Sequence, residues 1–311
     1  MNFKKTALLL AMAGVTAVPM AAQADMYASA RIGLVNTDTD GGLNDMQIQS
    51  MASRFGIKSE TDLGNGMTGF GQYEWDVDFD NGKSFDFDGD GEDDASTDAS
   101  IKMRKRLVGL KGDFGSVTLG QTYHTFYNFV VGPNDNPWWG SGYAMVAYVG
   151  RTDNAITYAG GAGDISFGAT AYVVGGDADE DAIDGTEFGA SFGIGDMTLG
   201  LGIKDSEAQD DAIIGLALTG IGLGSANLGL GLQTQDEDTS FLFDVGIGNA
   251  YVHYEQIDLD AADATPSMLT LGYTQSLGRN TTAWYEFQNN DGDDAGTDST
   301  VIRAILKYDI E

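Results

Sequence analysis

Residues 53–75 read SRFGIKSETDLGNGMTGFGQYEW, two alternating runs joined by a Gly-Asn-Gly turn. Successive side chains of a strand point to opposite faces. The first run therefore sets Phe55 and Ile57 on one face and Arg54, Lys58 and Glu60 on the other. The second sets Tyr73 and Trp75 against Gln72, Glu74 and Asp76. A soluble sheet shows the same alternation with its apolar face turned inward. The pattern defines a hairpin and leaves open which face is inside.

The N-terminus narrows the choice. Lys4 and Lys5 precede an apolar run from Ala7 to Val18, and Ala22-Gln23-Ala24 closes it. A basic start, a short apolar stretch and a small-x-small end predict a secretory signal peptide, residues 1–24, cleaved before Asp25. A retained anchor is the competing reading, but the run is too short for a spanning helix. The exported unit is then 25–311. The chain has no cysteine, which excludes disulfides and thiolate chemistry. Its 44 glycines and only four prolines fit many short strands with tight turns. The net charge of −31 is clustered, in 85–100, 175–185, 234–239, 259–264 and 290–298. Nothing in so acidic a chain answers to nucleic acid.

Between those clusters run alternating segments, from 26–36, 46–60 and 66–79 through to 281–290 and 299–310. There are about sixteen, each of roughly ten residues, the length of a tilted membrane strand. Short Gly/Asn turns alternate with longer acidic connections. In MTLGLGIK (197–204), Met197, Leu199, Leu201 and Ile203 share one face, and Thr198, Gly200, Gly202 and Lys204 the other. NLGLGLQ (227–233) repeats the scheme. A face of Gly, Thr, Asn, Gln and charge cannot fill a water-soluble core. Lipid outside and water inside account for every position, and closure satisfies the backbone hydrogen bonds. The sequence thus predicts an all-β fold, a transmembrane antiparallel β-barrel of about sixteen strands with an aqueous lumen. Phe55, Ile57, Tyr73 and Trp75 face lipid, while Arg54, Lys58, Glu60 and Glu74 line the pore.

At these residues the chain resembles the general diffusion porins of the Gram-negative outer membrane, the trimeric, sixteen-stranded osmoporin type. The resemblance rests on SRFGIKSETDLGNGMTGFGQYEW, on RKRLVGLKGDFGSVTLGQTYHTFY (104–127) and on RTDNAITYAG (151–160). It implies a homotrimer in outer-membrane lipid beside lipopolysaccharide, passing ions and small hydrophilic solutes without any cofactor. It also implies that the third extracellular loop, roughly 123–147, folds into the lumen. That stretch carries Asp135, Trp138 and Trp139. A basic cluster is implied on the opposite wall, at Arg54, Arg104 and Arg151, with Arg31 and Arg106 beside them. By strand parity Arg106 shares Arg104's face, and Lys105 falls to the lipid side. Asp135 is the single acid of the loop, which weakens the transverse field that facing carboxylates would create. The arginines alone favour anions and the acidic mouth favours cations, giving a weak cation preference at low salt.

Three further readings compete. DFDGDGEDD (86–94) places Asp86, Asp88 and Asp90 at the start of a calcium-loop spacing, but the twelfth position is Thr97 rather than Glu. A weak Ca²⁺ site and an ordinary solvated loop both fit it. Adhesive acidic loops on a barrel, or a secreted acidic β-protein, would also use such segments; the latter predicts fixed-period repeats, which are absent. Catalysis needs a base beside a nucleophile. The two histidines, His124 and His253, stand in no such setting, and His253 reads as pore lining beside Glu255.

Overall fold

The computed structural model describes residues 23–42, 44–78, 84–85, 95–96, 100–138, 150–173, 183–206, 211–293 and 298–310. The expected cleavable leader lies outside them save for Gln23 and Ala24, which open the first strand. The strands are β1 (Gln23–Thr39), β2 (Asp45–Ser50), β3 (Ser53–Gly64) and β4 (Met67–Asp78). A small hairpin follows, β5 (Ser84–Phe85) with β6 (Ala95–Ser96). Then come β7 (Ser100–Gly112), β8 (Gly115–Gln121), β9 (Ala155–Ala162), β10 (Ile165–Tyr172) and β11 (Gly185–Ile194). Next are β12 (Met197–Ser206), β13 (Ile213–Leu223), β14 (Ala226–Gln235) and β15 (Asp238–Ile247). The chain finishes with β16 (Ala250–Asp258), β17 (Ser267–Gly278), β18 (Thr281–Asp291) and β19 (Ser299–Ile310).

From β3 onward each strand of the main sheet pairs antiparallel with the next, β4 with β7 across the small hairpin, and β1 pairs with β19 from Ala28↔Ile310 to Thr39↔Ser299. That pairing closes the sheet. β2 and β3 both pair with β1 and form one stave broken at Met51-Ala52, where Ala52 has φ 58°. The 17 strands of the sheet thus make a sixteen-stave barrel. In a closed sheet no strand edge is left to meet lipid.

The opening hairpin shows how local sequence sets the staves. Asn65 and Gly66 take φ of 53° and 75°, the two positive values a type I′ turn requires. Phe55 then stands opposite Trp75, and Ile57 opposite Tyr73. Phe55, Ile57 and Tyr73 are exposed on the outer surface, and Trp75 stacks between Phe55 and Tyr73 at centroid distances of 5.0 and 6.0 Å. Leu201, Ile203, Ile214, Phe241, Leu271, Tyr285 and Ile302 continue this apolar exterior around the wall. The alternate positions face inward. The connections are less uniform than their acidity suggests: 234–239 is a tight turn at Asp236-Glu237, not a long loop.

Candidate functional site

Inside the barrel the glycines have a second use. After β8 the chain turns inward through a helical segment, Tyr127–Val131, which continues as a 3₁₀ turn, Gly132–Asn134. Phe126 and Val130 are buried against Gly202 and Gly215, and Phe129 lies on Gly168 and Gly189. A Cβ on Gly202 would sit 2.8 Å from Val130, and one on Gly189 2.6 Å from Phe129. These glycines alternate with the exposed Phe188, Leu201, Ile203 and Ile214, so they belong to the inner face. They form a corridor without side chains across β10–β14. The segment's apolar residues fill it, each contributing about 1.5–3 kcal/mol by burial. In sequence these glycines read only as water-facing positions. Their partner lies far upstream in the chain, and no local period announces it.

Both ends of the segment are pinned by buried polar contacts. At the start, the Thr152 N–H donates to His124 Nε2 over 3.2 Å, and His124 Nδ1 lies 2.9 Å from the Tyr172 hydroxyl. That hydroxyl donates to Glu187, whose other oxygen receives the Phe126 N–H at 2.7 Å. The chain of donors fixes the Nδ1–H tautomer of a neutral His124. Burial pulls its pKa down from 6.5 to about 4. At the far end, the Trp138 N–H donates to Glu286 over 2.6 Å, and its ring packs on Trp284 at 4.7 Å. Midway, Asn134 donates to the Leu230 carbonyl at 2.9 Å, and Tyr127 donates to Asp135 at 3.0 Å. Burial raises the Asp135 pKa.

The basic residues do not form one cluster. Arg104 Nε lies 2.7 Å from Glu74 and its Nη1 3.5 Å from Asp76; Arg54 reaches Glu74 at 3.9 Å. Tyr27 donates to the same Glu74 at 2.8 Å. Tyr123 gathers three cations: Arg104 donates to its hydroxyl at 2.9 Å, while Arg151 and Lys105 lie 4.7 and 5.2 Å from its ring. Arg31 stands apart, with its guanidinium 5.4 Å from the Trp138 ring. Lys58 lies over the Tyr27 ring at 5.8 Å, and Glu60 pairs with Lys111 at 2.6 Å. Trp139 and the calcium candidates Asp86, Asp88 and Asp90 lie outside the described residues.

The parity reading of β7 is corrected by a β-bulge. Glu74 pairs with Lys105 and Trp75 with Met103, so Arg104 is the extra residue. Beyond it the faces exchange. Lys105 joins Arg104 on the inner face. Arg106 stands opposite the exposed Tyr73, on the outer face, and binds Asp153. His253 also departs from its expected role. It is fully buried on β16 between Asp244 and Glu255, with Nε2 2.7 Å from Glu255, and Asp135 lies within electrostatic reach of all three. It anchors the wall and does not line water.

A closed wall with a lipid-compatible exterior thus holds a segment lodged against its inner glycines. Residues 6–295 match the family described as Gram-negative porin. The chain belongs to the Gram-negative porin family. Solved porins share the fold at low identity. OmpF of Salmonella typhi, in complex with daunomycin, superposes with TM-score 0.67 and 16% identity, covering 92% of this chain and 97% of that one. An anion-selective porin from Comamonas acidovorans gives 0.66 and 18%, covering 93% and 100%. The trimer form of OmpT, an outer membrane protein of Vibrio cholerae, gives 0.64 and 15%, covering 94% and 100%. No curated protein sequence matches. Family and fold together make this porin a diffusion channel of the outer membrane.

Proposed function

We propose that the porin passes ions and small hydrophilic solutes through a water-filled lumen, weakly preferring cations at low salt, and that it works as a homotrimer. The basic residues Arg54, Arg104, Lys105 and Arg151 and the inserted segment 123–138 bound its narrow zone. Asp135 lies on that segment. One observation carries the preference: Glu74 and Asp76 pair with Arg104, and Glu74 also with Arg54, on the wall that holds the basic group. A guanidinium stays charged at any working pH, but its field is largely cancelled by a carboxylate a few ångströms away. Two of the four positive charges are balanced in this way, and around the remainder lies the field of a chain with net charge −31, which concentrates cations at the mouth.

The test is the reversal potential of the reconstituted porin under a tenfold KCl gradient. The expected sign is that of a mildly cation-preferring pore below about 0.1 M salt, fading near 1 M as the screening length falls from about 10 to about 3 Å. A strongly anion-selective potential at low salt would overturn the reading. Weak Ca²⁺ binding at the 86–94 loop is proposed alongside, and calorimetry showing no heat at millimolar calcium would remove it.

A further inference from the structure

Between the inserted segment and the short-turn end of the barrel lies a cavity of about 450 Å³. We propose that it is a transit site for an uncharged polyol of monosaccharide size, a proposal that rests on the diffusion-channel reading above. Its volume falls within the roughly 300–1,000 Å³ of small-ligand sites. Its exposed amides come from two sources: Asn136 on the segment, and Asn227 and Asn249 on the wall. An amide both donates and accepts, as does each hydroxyl of a polyol, so the two match without any net charge.

Charge argues against the other small solutes. Among the described residues no Lys or Arg lines the cavity, so an anion finds no counter-charge there. Asp244 is the single carboxylate that the described residues bring to the lining, and one of its oxygens is already held by His253. Its other oxygen, Oδ1, accepts no hydrogen bond among the described residues, although Asp244 is only 3% exposed. With its carboxylate covered in this way Asp244 offers a cation little counter-charge, and the uncharged amides set the chemistry of the cavity. Tyr251 completes the lining. Its ring lies against Gly272, where a side chain would collide with it, and its hydroxyl donates to Glu286. The ring is thereby held flat on the wall, the orientation in which an aromatic face receives the C–H face of a sugar ring.

The test is open-channel current noise of the full-length porin in a planar bilayer, with D-glucose added at fixed conductivity. Glucose should produce saturating excess noise. N227A and N249A, which touch none of the segment's anchors, should each keep the basal conductance and weaken the glucose effect about fivefold, the worth of one hydrogen bond. A conducting channel without glucose-dependent noise would overturn the proposal while leaving the diffusion reading intact. Saturating noise with ethanolamine hydrochloride but not with glucose would do the same, and would assign the cavity to cations. A folded barrel with no conductance would overturn both readings. Glucose noise unchanged in both variants would place the contact elsewhere in the pore and overturn the site.

Discussion

The carbonyl oxygen of Phe129 stands where the Cβ of any side chain on Gly200 would begin. The inserted segment and the wall of β12 therefore meet backbone to backbone, where a side chain is missing. G200A should push the segment off the corridor at a cost of about 1–3 kcal/mol, the range for overpacking. The expected result is a larger and noisier single-channel conductance. Gly222, whose surroundings are open, is the control: G222A should conduct like the parent.

Glu74 holds the charge balance of the basic wall. In E74Q the hydrogen bond from Tyr27 survives, but Arg54 and Arg104 lose a shared counter-charge. One unit charge at about 8 Å in water is worth about 0.5 kcal/mol, a factor of about two in ion preference. The reversal potential at 0.1 M salt should move toward anions by that factor, and the difference should shrink at 1 M. An unchanged potential would mean that Glu74 does not compensate the arginines.

The bulge at Arg104 makes a prediction that strand parity reverses. The chain has no cysteine of its own, so single substitutions report cleanly. K105C should react with a water-soluble, charged thiol reagent and lower the open conductance. R106C, on the outer face, should leave the conductance unchanged under the same reagent. The opposite pattern would return β7 to simple alternation.

His124 ties the inserted segment to β10 and to Thr152. Its folded pKa of about 4 lies below the model-peptide value of 6.5. Between those values the unfolded chain binds a proton that the folded chain does not, so stability falls as pH drops from about 6.5 to about 4 and then levels. The full span is worth about 3 kcal/mol. Thermal unfolding in detergent should show that loss in the parent and less of it in H124Q, whose amide can serve Thr152 and Tyr172 without titrating. Equal pH profiles for the two would exclude His124 as the source.

Most of the barrel was legible because a period of two is a local property. Phe55, Ile57, Tyr73 and Trp75 mark one apolar face by themselves, and the Gly, Thr, Asn and Gln on the opposite faces of strands such as 197–204 and 227–233 rule out a soluble core. The bulge was not legible, because Arg104 becomes an extra residue only through the register of β7 against β4. One such residue exchanged the fates of Lys105 and Arg106. The corridor was hidden for a similar reason. A glycine on the inner face looks the same in sequence whether it faces water or Phe129. His253 read as pore lining because nothing near it in sequence shows the segment that covers it. The acids that face the arginines are only partly legible as well: strand parity turns Glu74 inward, but its pairing with Arg54 and Arg104 needs the fold.

Single-channel recording of the refolded porin in a planar bilayer tests the central claim most directly. A water-filled diffusion channel predicts a stable, open, ohmic conductance, appearing in groups of three equal steps if the homotrimer is the working unit. A correctly folded barrel that inserts and carries no current would contradict it, and would mean that residues 123–138 plug the lumen.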